Sequence, residues 1–257
     1  MPIAITRALS ASLANCELSF VDRAPIDLDL ARVQHRAYGQ ALIAVGCDLI
    51  ELPAQDALPD AVFVEDTALV LDEVAVMTRP GAEARRAEGV TVAEALREFR
   101  RLLSIEAPGT LDGGDVMRIG HSLHVGESAR TNRAGIEQLR AAIAPFGYAV
   151  AVHTTRGCLH LKSAVTEVAP GVLLINPDWI DRADFADFEL IEVDASEEHA
   201  ANALRVGDSI VYPACFPRTQ GKLERASIRV RTVDVSELQK AEGAVTCCSL
   251  VFARAGK

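Results

Sequence analysis

The chain has 257 residues, 49% of them hydrophobic, and a formal net charge of −10. That length can bury a substantial core in one large domain or two small ones. Its acidity, with no lysine/arginine stripe interleaved with aromatics, excludes nucleic acid as a default partner. No apolar run approaches the ~20 residues of a membrane helix, and the segment Met1–Arg7 lacks the apolar core of a signal peptide, so a cytoplasmic setting without membrane contact is expected. The six cysteines, Cys16, Cys47, Cys158, Cys215, Cys247 and Cys248, form no CxxC pair. This argues for reduced thiols and against a structural zinc site.

In chain order, a first strand is expected at Ile3–Arg7. A helix over Asp27–Val45, with apolar residues at three- and four-residue intervals, leads into a strand at Asp48–Leu52. Asp66–Leu71 and Val74–Arg79 read as a hairpin around Asp72-Glu73, and Arg79-Pro80-Gly81 as a loop. A helix over Val92–Leu103 and a strand at Ser104–Glu106 follow. The pattern recurs at Asp115–Ile119 and Ser122–Val125 around Gly120-His121, then a helix at Thr131–Ala144 and a strand at Ala149–Val152. It recurs again at Ala164–Val168 and Val172–Ile175, with weaker helical signal at Trp179–Phe185 before Phe188–Val193, and at Ala203–Val206 and Ser209–Tyr212, with Thr219–Glu224 before Ser227–Val230. A last strand at Cys247–Ala253 completes a fifth unit with the N-terminal strand.

The hairpins start roughly every 40–50 residues, a period that marks repeat architectures. Five hairpin-helix-strand units predict an α/β fold closed as a five-bladed α/β propeller with pseudo-fivefold symmetry, one domain over residues 1–257. Loops at one end would then converge on the axis. An open doubly wound sheet is disfavoured by the hairpins and by the lack of a GxGxxG after a first strand.

Three stretches carry chemistry. Cys247-Cys248-Ser249 lies in an apolar run, and alternation along a strand would send the two thiols to opposite faces, one free to react and one packed. His160, in Leu-His-Leu-Lys-Ser after Gly157, has the side chain suited to proton transfer near neutral pH. Asp112 and Asp115 flank Gly113-Gly114, whose backbone freedom can turn a carboxylate inward. A thiol, an imidazole and a carboxylate suggest a cysteine nucleophile with its proton-transfer partners. Each also has a bland explanation: a core thiol, a structural histidine, a solvated turn. His121 and His124 sit at a hairpin and give no helical metal face. Glu65-Asp66, inside an apolar stretch with Asp60 upstream, must be paired or matched to a ligand. A guanidinium suits it, from a ligand or from a protein arginine such as Arg79 or Arg85.

Together Phe63-Val64-Glu65-Asp66, Thr78-Arg79-Pro80-Gly81, Leu111-Asp112-Gly113-Gly114-Asp115, Ser128-Ala129-Arg130-Thr131-Asn132, Leu159-His160-Leu161-Lys162-Ser163 and Thr246-Cys247-Cys248-Ser249 resemble the dimethylarginine dimethylaminohydrolase family, in its order and roughly its spacing. The resemblance spans nearly the whole chain. It implies membership of the amidinotransferase and arginine deiminase superfamily, with its five-bladed propeller fold. It implies Cys247 as nucleophile, His160 as general acid/base and Asp112 as the acid that orients it. Asp60, Glu65 and Asp66 match residues that receive the substrate's guanidinium and amino ends, and Arg85 and Arg130 match arginines that bind its carboxylate or shape the surrounding loop. Leu18 falls on a lid, and the backbone of Ala241 matches a main-chain substrate contact. Arginine deiminases carry an aspartate two residues after the histidine; Lys162 stands there, which favours methylated arginine.

The implied reaction converts dimethylarginine or monomethylarginine to citrulline and an amine through a cysteine thiouronium adduct, with no metal and no organic cofactor. The partner is a small molecule, and a homodimer is left open. The rivals are an arginine deiminase or amidinotransferase, and a non-catalytic arginine-binding propeller.

Overall fold

The middle strand of each sheet is its most buried one. In this computed structural model, which describes residues 1–254, fifteen strands form five three-stranded sheets. The first contains β1 (Pro2–Arg7), β2 (Asp48–Leu52) and the last strand, β15 (Leu250–Ala253). The others are β3 (Ala68–Val70), β4 (Val74–Met77) and β5 (Arg101–Ser104); β6 (Val116–Ile119), β7 (Ser122–Glu127) and β8 (Ala149–Thr154); β9 (Val165–Ala169), β10 (Val172–Ile175) and β11 (Glu189–Glu192); and β12 (Leu204–Val206), β13 (Ser209–Pro213) and β14 (Arg229–Val233).

Each sheet pairs its middle strand antiparallel with one neighbour and parallel with the other. A middle strand has no edge open to water, so β4 is buried at every position, while the parallel edge strand β5 is half-exposed. The parallel pairings need crossovers. Helix α1 (Leu28–Ala44) links β1 to β2, α2 (Gly89–Leu96) links β4 to β5, α3 (Arg133–Ile143) links β7 to β8, and α5 (Pro217–Arg225) links β13 to β14. Between β10 and β11 the crossover carries a 3-10 turn at Arg182–Phe185. Two short helices, α4 (Leu161–Ala164) and α6 (Ser236–Gln239), precede β9 and β15. Helix α1 is capped by Asp27, whose side chain accepts from the Asp29 and Leu30 amides, and it buries Ala31, Tyr38, Ala41 and Leu42.

The closed five-bladed propeller expected from the repeat is corrected by the strand pairing. Every ladder stops at three strands, and the five mixed sheets are separate, none closed or curled into a propeller barrel. A sequence period reports the local unit; closure depends on contacts between units that the period does not contain.

Several boundaries also move; the strand expected at Ser104–Glu106, for one, lies at Arg101–Ser104. The helix expected over Val92–Leu103 ends at Leu96, and Leu102 and Leu103 join β5. Arg100 stops it by donating to the carbonyls of Leu71 and Ala253, which ties the turn to two other segments. The strand expected from Asp66 begins at Ala68, because Val64–Thr67 forms a 3-10 turn. The strand expected from Cys247 begins at Leu250. Cys247 lies in the preceding turn, its carbonyl accepting from the Glu65 amide at 3.1 Å instead of from a ladder partner.

Candidate active site

The two reactive stretches furthest apart in sequence are joined by backbone. The Cys247 turn is held from one side by that Glu65 amide and from the other by Tyr38, whose hydroxyl donates to the Val245 carbonyl and contacts Ser249 Oγ, both at 2.7 Å. Thr246 donates to Glu65 Oε2 at 2.8 Å, and Asn202 brackets Thr246 through its amide oxygen and nitrogen. The two thiols differ in exposure, and they lie in a turn, not along the strand expected to separate them. Cys248 is fully buried in the core around α1, while Cys247 is partly exposed.

His160 is the residue before α4, whose first amide, at Leu161, donates to Asp115 Oδ1 at 3.0 Å. Its Nε2 lies 3.1 Å from Asp112 Oδ2 and its Nδ1 3.8 Å from Asp66 Oδ1. Asp112 is 0% exposed and accepts from the Gly81 amide at 2.9 Å. This crossing of chains explains the glycine pair. A Cβ on Gly113 would strike the Glu65 carbonyl, and one on Gly114 would strike the His160 ring and Asp66.

Each carboxylate has partners. Asp66 accepts from the Gly114 amide at 2.9 Å and from Arg85 at 2.7 Å, and Arg85 also grips Glu88 at 2.9 Å. Lys162 Nζ lies 2.5 Å from Glu65 Oε1. Burial alone would raise the Asp66 pKa, but His160 and Arg85 outweigh it and bring it down to about 2. Burial raises Glu65 despite Lys162, raises Asp60 despite Arg85, and lifts Glu88 to about 7. For His160 burial would lower the pKa; Asp66, the Asp112 hydrogen bond and Asp115 prevail and push it up to about 9. Burial, with Glu65 and Asp66 nearby, pushes the Cys247 thiol up to about 12. These shifts favour a neutral thiol beside an imidazolium.

A cavity of about 20 Å³ is lined by Cys247, His160, Asp60, Asp66, Arg85, Arg130 and Ala241, with Glu17 and Glu242 among its other walls. Seven of the ten expected site residues thus share one space. Asp112 stands behind His160. Glu65 faces a separate channel of about 740 Å³. Leu18 packs on the core around α1, while its neighbour Glu17 reaches the cavity and donates its amide to Asp60. Of the two arginines considered for the acidic pair, Arg85 takes Asp66, whereas Arg79 donates to the Gly109 carbonyl. Glu88 and Glu242 escape the sequence reading. Glu88 had a usable signal, three residues after Arg85; Glu242 had only its place beside Ala241. Asp66, Asp112 and His160 offer ligand atoms within 4.8 Å of one another, a set that could hold an ion, although Arg85 already balances Asp66.

A thiol, an imidazole backed by carboxylates and two arginines around one small cavity form the side-chain set of a cysteine-dependent enzyme acting on a charged small molecule. The family described as eukaryotic N,N dimethylarginine dimethylhydrolase matches residues 21–253. The N(G),N(G)-dimethylarginine dimethylaminohydrolase of Pseudomonas aeruginosa is 39% identical over 228 residues, 88% of this chain and 90% of its own, and that of Streptomyces coelicolor is 39% identical over 249 residues, 96% and 95%. A solved structure of a mutant of the Pseudomonas aeruginosa enzyme with citrulline superposes with a TM-score of 0.93 at 37% identity, covering 97% of this chain and 98% of that one. The chain belongs to the dimethylarginine dimethylaminohydrolase family.

Proposed function

We propose that this chain, as a single domain over residues 1–257, hydrolyses Nω-methylated arginines to citrulline and dimethylamine or methylamine. Family membership supports the reaction; the observation that carries the residue assignment is the shared cavity of Cys247, His160 and Asp66. The substrate guanidinium lies against Asp66, with Asp60 beyond it, while Arg130 and Arg85 face its carboxylate end. Burial first, and then the carboxylates, hold the Cys247 thiol up; the substrate's positive charge works against both, so substrate entry favours the thiolate. Asp112 holds the imidazolium of His160 in place.

The Cys247 thiol loses its proton to solvent as the cation enters, and the thiolate sulfur attacks the guanidinium carbon. The bond from that carbon to the methylated nitrogen breaks, and His160 gives the departing amine its proton. A thiouronium adduct remains. His160, now neutral, takes a proton from water; the hydroxide adds to the same carbon, the carbon–sulfur bond breaks with its electron pair going to sulfur, the added hydroxyl passes its proton to that thiolate, and neutral citrulline leaves. Glu65 acts from behind, fixing the Cys247 turn through its amide and Thr246. Lys162, two residues after His160, stands where a second clamping acid would sit and is paired with Glu65, which leaves the outer guanidinium nitrogen unclamped and favours methylated over plain arginine. No helix among the described residues is long and apolar enough to cross a membrane, and six free cysteines support a reducing, cytoplasmic setting.

The test is citrulline formation from dimethylarginine, monomethylarginine and arginine side by side. Cys247→Ser should lower turnover by about 10³-fold or more, since the neutral hydroxyl is a far weaker nucleophile. A variant that keeps most of its turnover, or a wild type that prefers arginine, overturns the assignment.

A further inference from the structure

Arg85 is shared by two buried carboxylates, and only one of them, Asp66, lines the cavity. The other, Glu88, stands three residues after it and grips it side-on. Arg85 Nε donates to Glu88 Oε1 at 3.1 Å and Nη2 to Oε2 at 2.9 Å. Nη2 also donates to the Phe63 carbonyl at 3.3 Å. A guanidinium held along one edge has a fixed plane, so Nη1 has one direction left, and there it donates to Asp66 Oδ2 at 2.7 Å. The opposite oxygen of Asp66 accepts from the Gly114 amide at 2.9 Å and lies 3.8 Å from His160 Nδ1. Charges of alternating sign thus run from Glu88 through Arg85 and Asp66 to His160. The other charged groups facing Glu88 are Asp60 and, on β1, Arg7, whose guanidinium donates to the Pro53 carbonyl and the Thr91 hydroxyl. Three acids therefore stand against two arginines in this buried cluster. Neutralising Glu88 would balance them and cancel the anionic excess that faces the cavity.

We propose that Glu88 is a positioning residue for the reaction: it aims Arg85 at Asp66 and, by sharing that guanidinium, keeps Asp66 anionic toward His160 and toward the cationic end of the substrate. This rests on the proposed function, in which the substrate guanidinium lies against Asp66. Glu88 touches neither substrate nor reacting atoms; it acts through Arg85. Without a second acid, Arg85 would serve Asp66 alone and take up its charge. The cavity would then offer less to a cation while its shape stayed the same.

The test is calorimetric binding to Cys247→Ser protein, which removes turnover from the measurement. Dimethylarginine is compared with citrulline: both have the same α-amino acid end, and only the first has a cation at the other. Burial lifts Glu88 to about 7, so binding is measured at pH 8, where the acid is ionised. Glu88→Gln keeps an oxygen that accepts from Arg85 and removes the charge. It should raise the dimethylarginine Kd by about 3- to 10-fold and change the citrulline Kd by less than about 2-fold, the size expected for a charge removed one group away. NMR of the same variant should find His160 titrating lower by roughly half to one pH unit, less than for the loss of a close charge. Glu88→Asp keeps the charge and should hold the ratio of the two Kd values within about 2-fold of the parent, even where both affinities fall. Equal weakening of both ligands in Glu88→Gln marks a merely structural role and overturns the inference; so do an unchanged ratio and a ratio lost equally in Glu88→Asp. If Glu88→Gln does not fold, the parent protein carries the test, since protonating Glu88 removes the same charge. Its preference for dimethylarginine over citrulline should then fall by a like factor from pH 8 to pH 6, and a flat ratio overturns the inference. Wild-type turnover of dimethylarginine, measured separately, tests the function itself.

Discussion

His160 and His124 are both nearly buried, at 5% and 7% exposure, yet the fold drives them in opposite directions. His160 stands among Asp66, Asp112 and Asp115 and is pushed up to about 9. His124 lies between β6 and β8 against Phe185 and Phe188, with its Nδ1 2.9 Å from His153 Nε2; burial, then His153, brings it down to about 4. The same side chain is a held imidazolium in one place and a neutral packing ring in the other. Burial raises the stakes of a charge, and the neighbours decide its sign.

The largest test of that contrast is activity. His160→Asn should lower citrulline formation by about 10²- to 10⁴-fold, the usual weight of a general acid/base. His124→Phe should leave the rate within about 3-fold; a matching loss at both positions would erase the functional half of the comparison. Next, Asp112→Asn removes the anion on His160 Nε2. Proton-detected NMR should find the ring titrating lower by roughly 1–3 pH units, the range for losing one close opposite charge. An unmoved titration would leave Asp66 and Asp115 as the whole cause.

Stability should show the opposed signs directly. His160 has a folded pKa above its unfolded value, so its contribution is complete below about pH 6.5 and is lost as pH rises through about 9. His124 and His35, the latter lowered to about 4 by burial, are the reverse: their contribution is complete above about pH 6.5 and is lost as pH falls through about 4. Each lowered histidine can account for at most about 3 kcal/mol. Denaturant melts across pH 4–9 should fall at both ends, and His124→Phe should flatten only the acid side. The smallest effect is expected at the neighbouring thiols. Cys248→Ala should cost about 1–2 kcal/mol through a small cavity in the α1 core while activity survives, the converse of Cys247→Ser.

Much of the local structure was legible from the residues. The apolar spacing of Ala31, Tyr38 and Leu42 and the cap at Asp27 mark α1 closely, and turn residues such as Gly120-His121 place the hairpin of β6 and β7. The weak signal at Trp179–Phe185 corresponds to a crossover with only a 3-10 turn. The strand misread at Cys247 shows the limit. Its β-branched and apolar flanks suit a ladder, but the Glu65 amide, 182 positions earlier in the chain, takes its carbonyl. The arrangement of whole units was misjudged for the same reason, since nothing in a repeat length says where hydrogen bonding between strands ends.

The sequence alone determined which groups this protein could bring to its chemistry, and the motifs were enough to name the family, because thiol, imidazole, carboxylate and guanidinium are written residue by residue. Tertiary structure decided what those groups are. It gave Asp66 to Arg85 and Glu65 to Lys162, put Asp112 behind His160, and left Glu242 and Arg130 each with one free buried atom. Charge state and free hydrogen-bonding capacity depend on desolvation and on neighbours within a few ångströms, and most of those neighbours are distant in sequence.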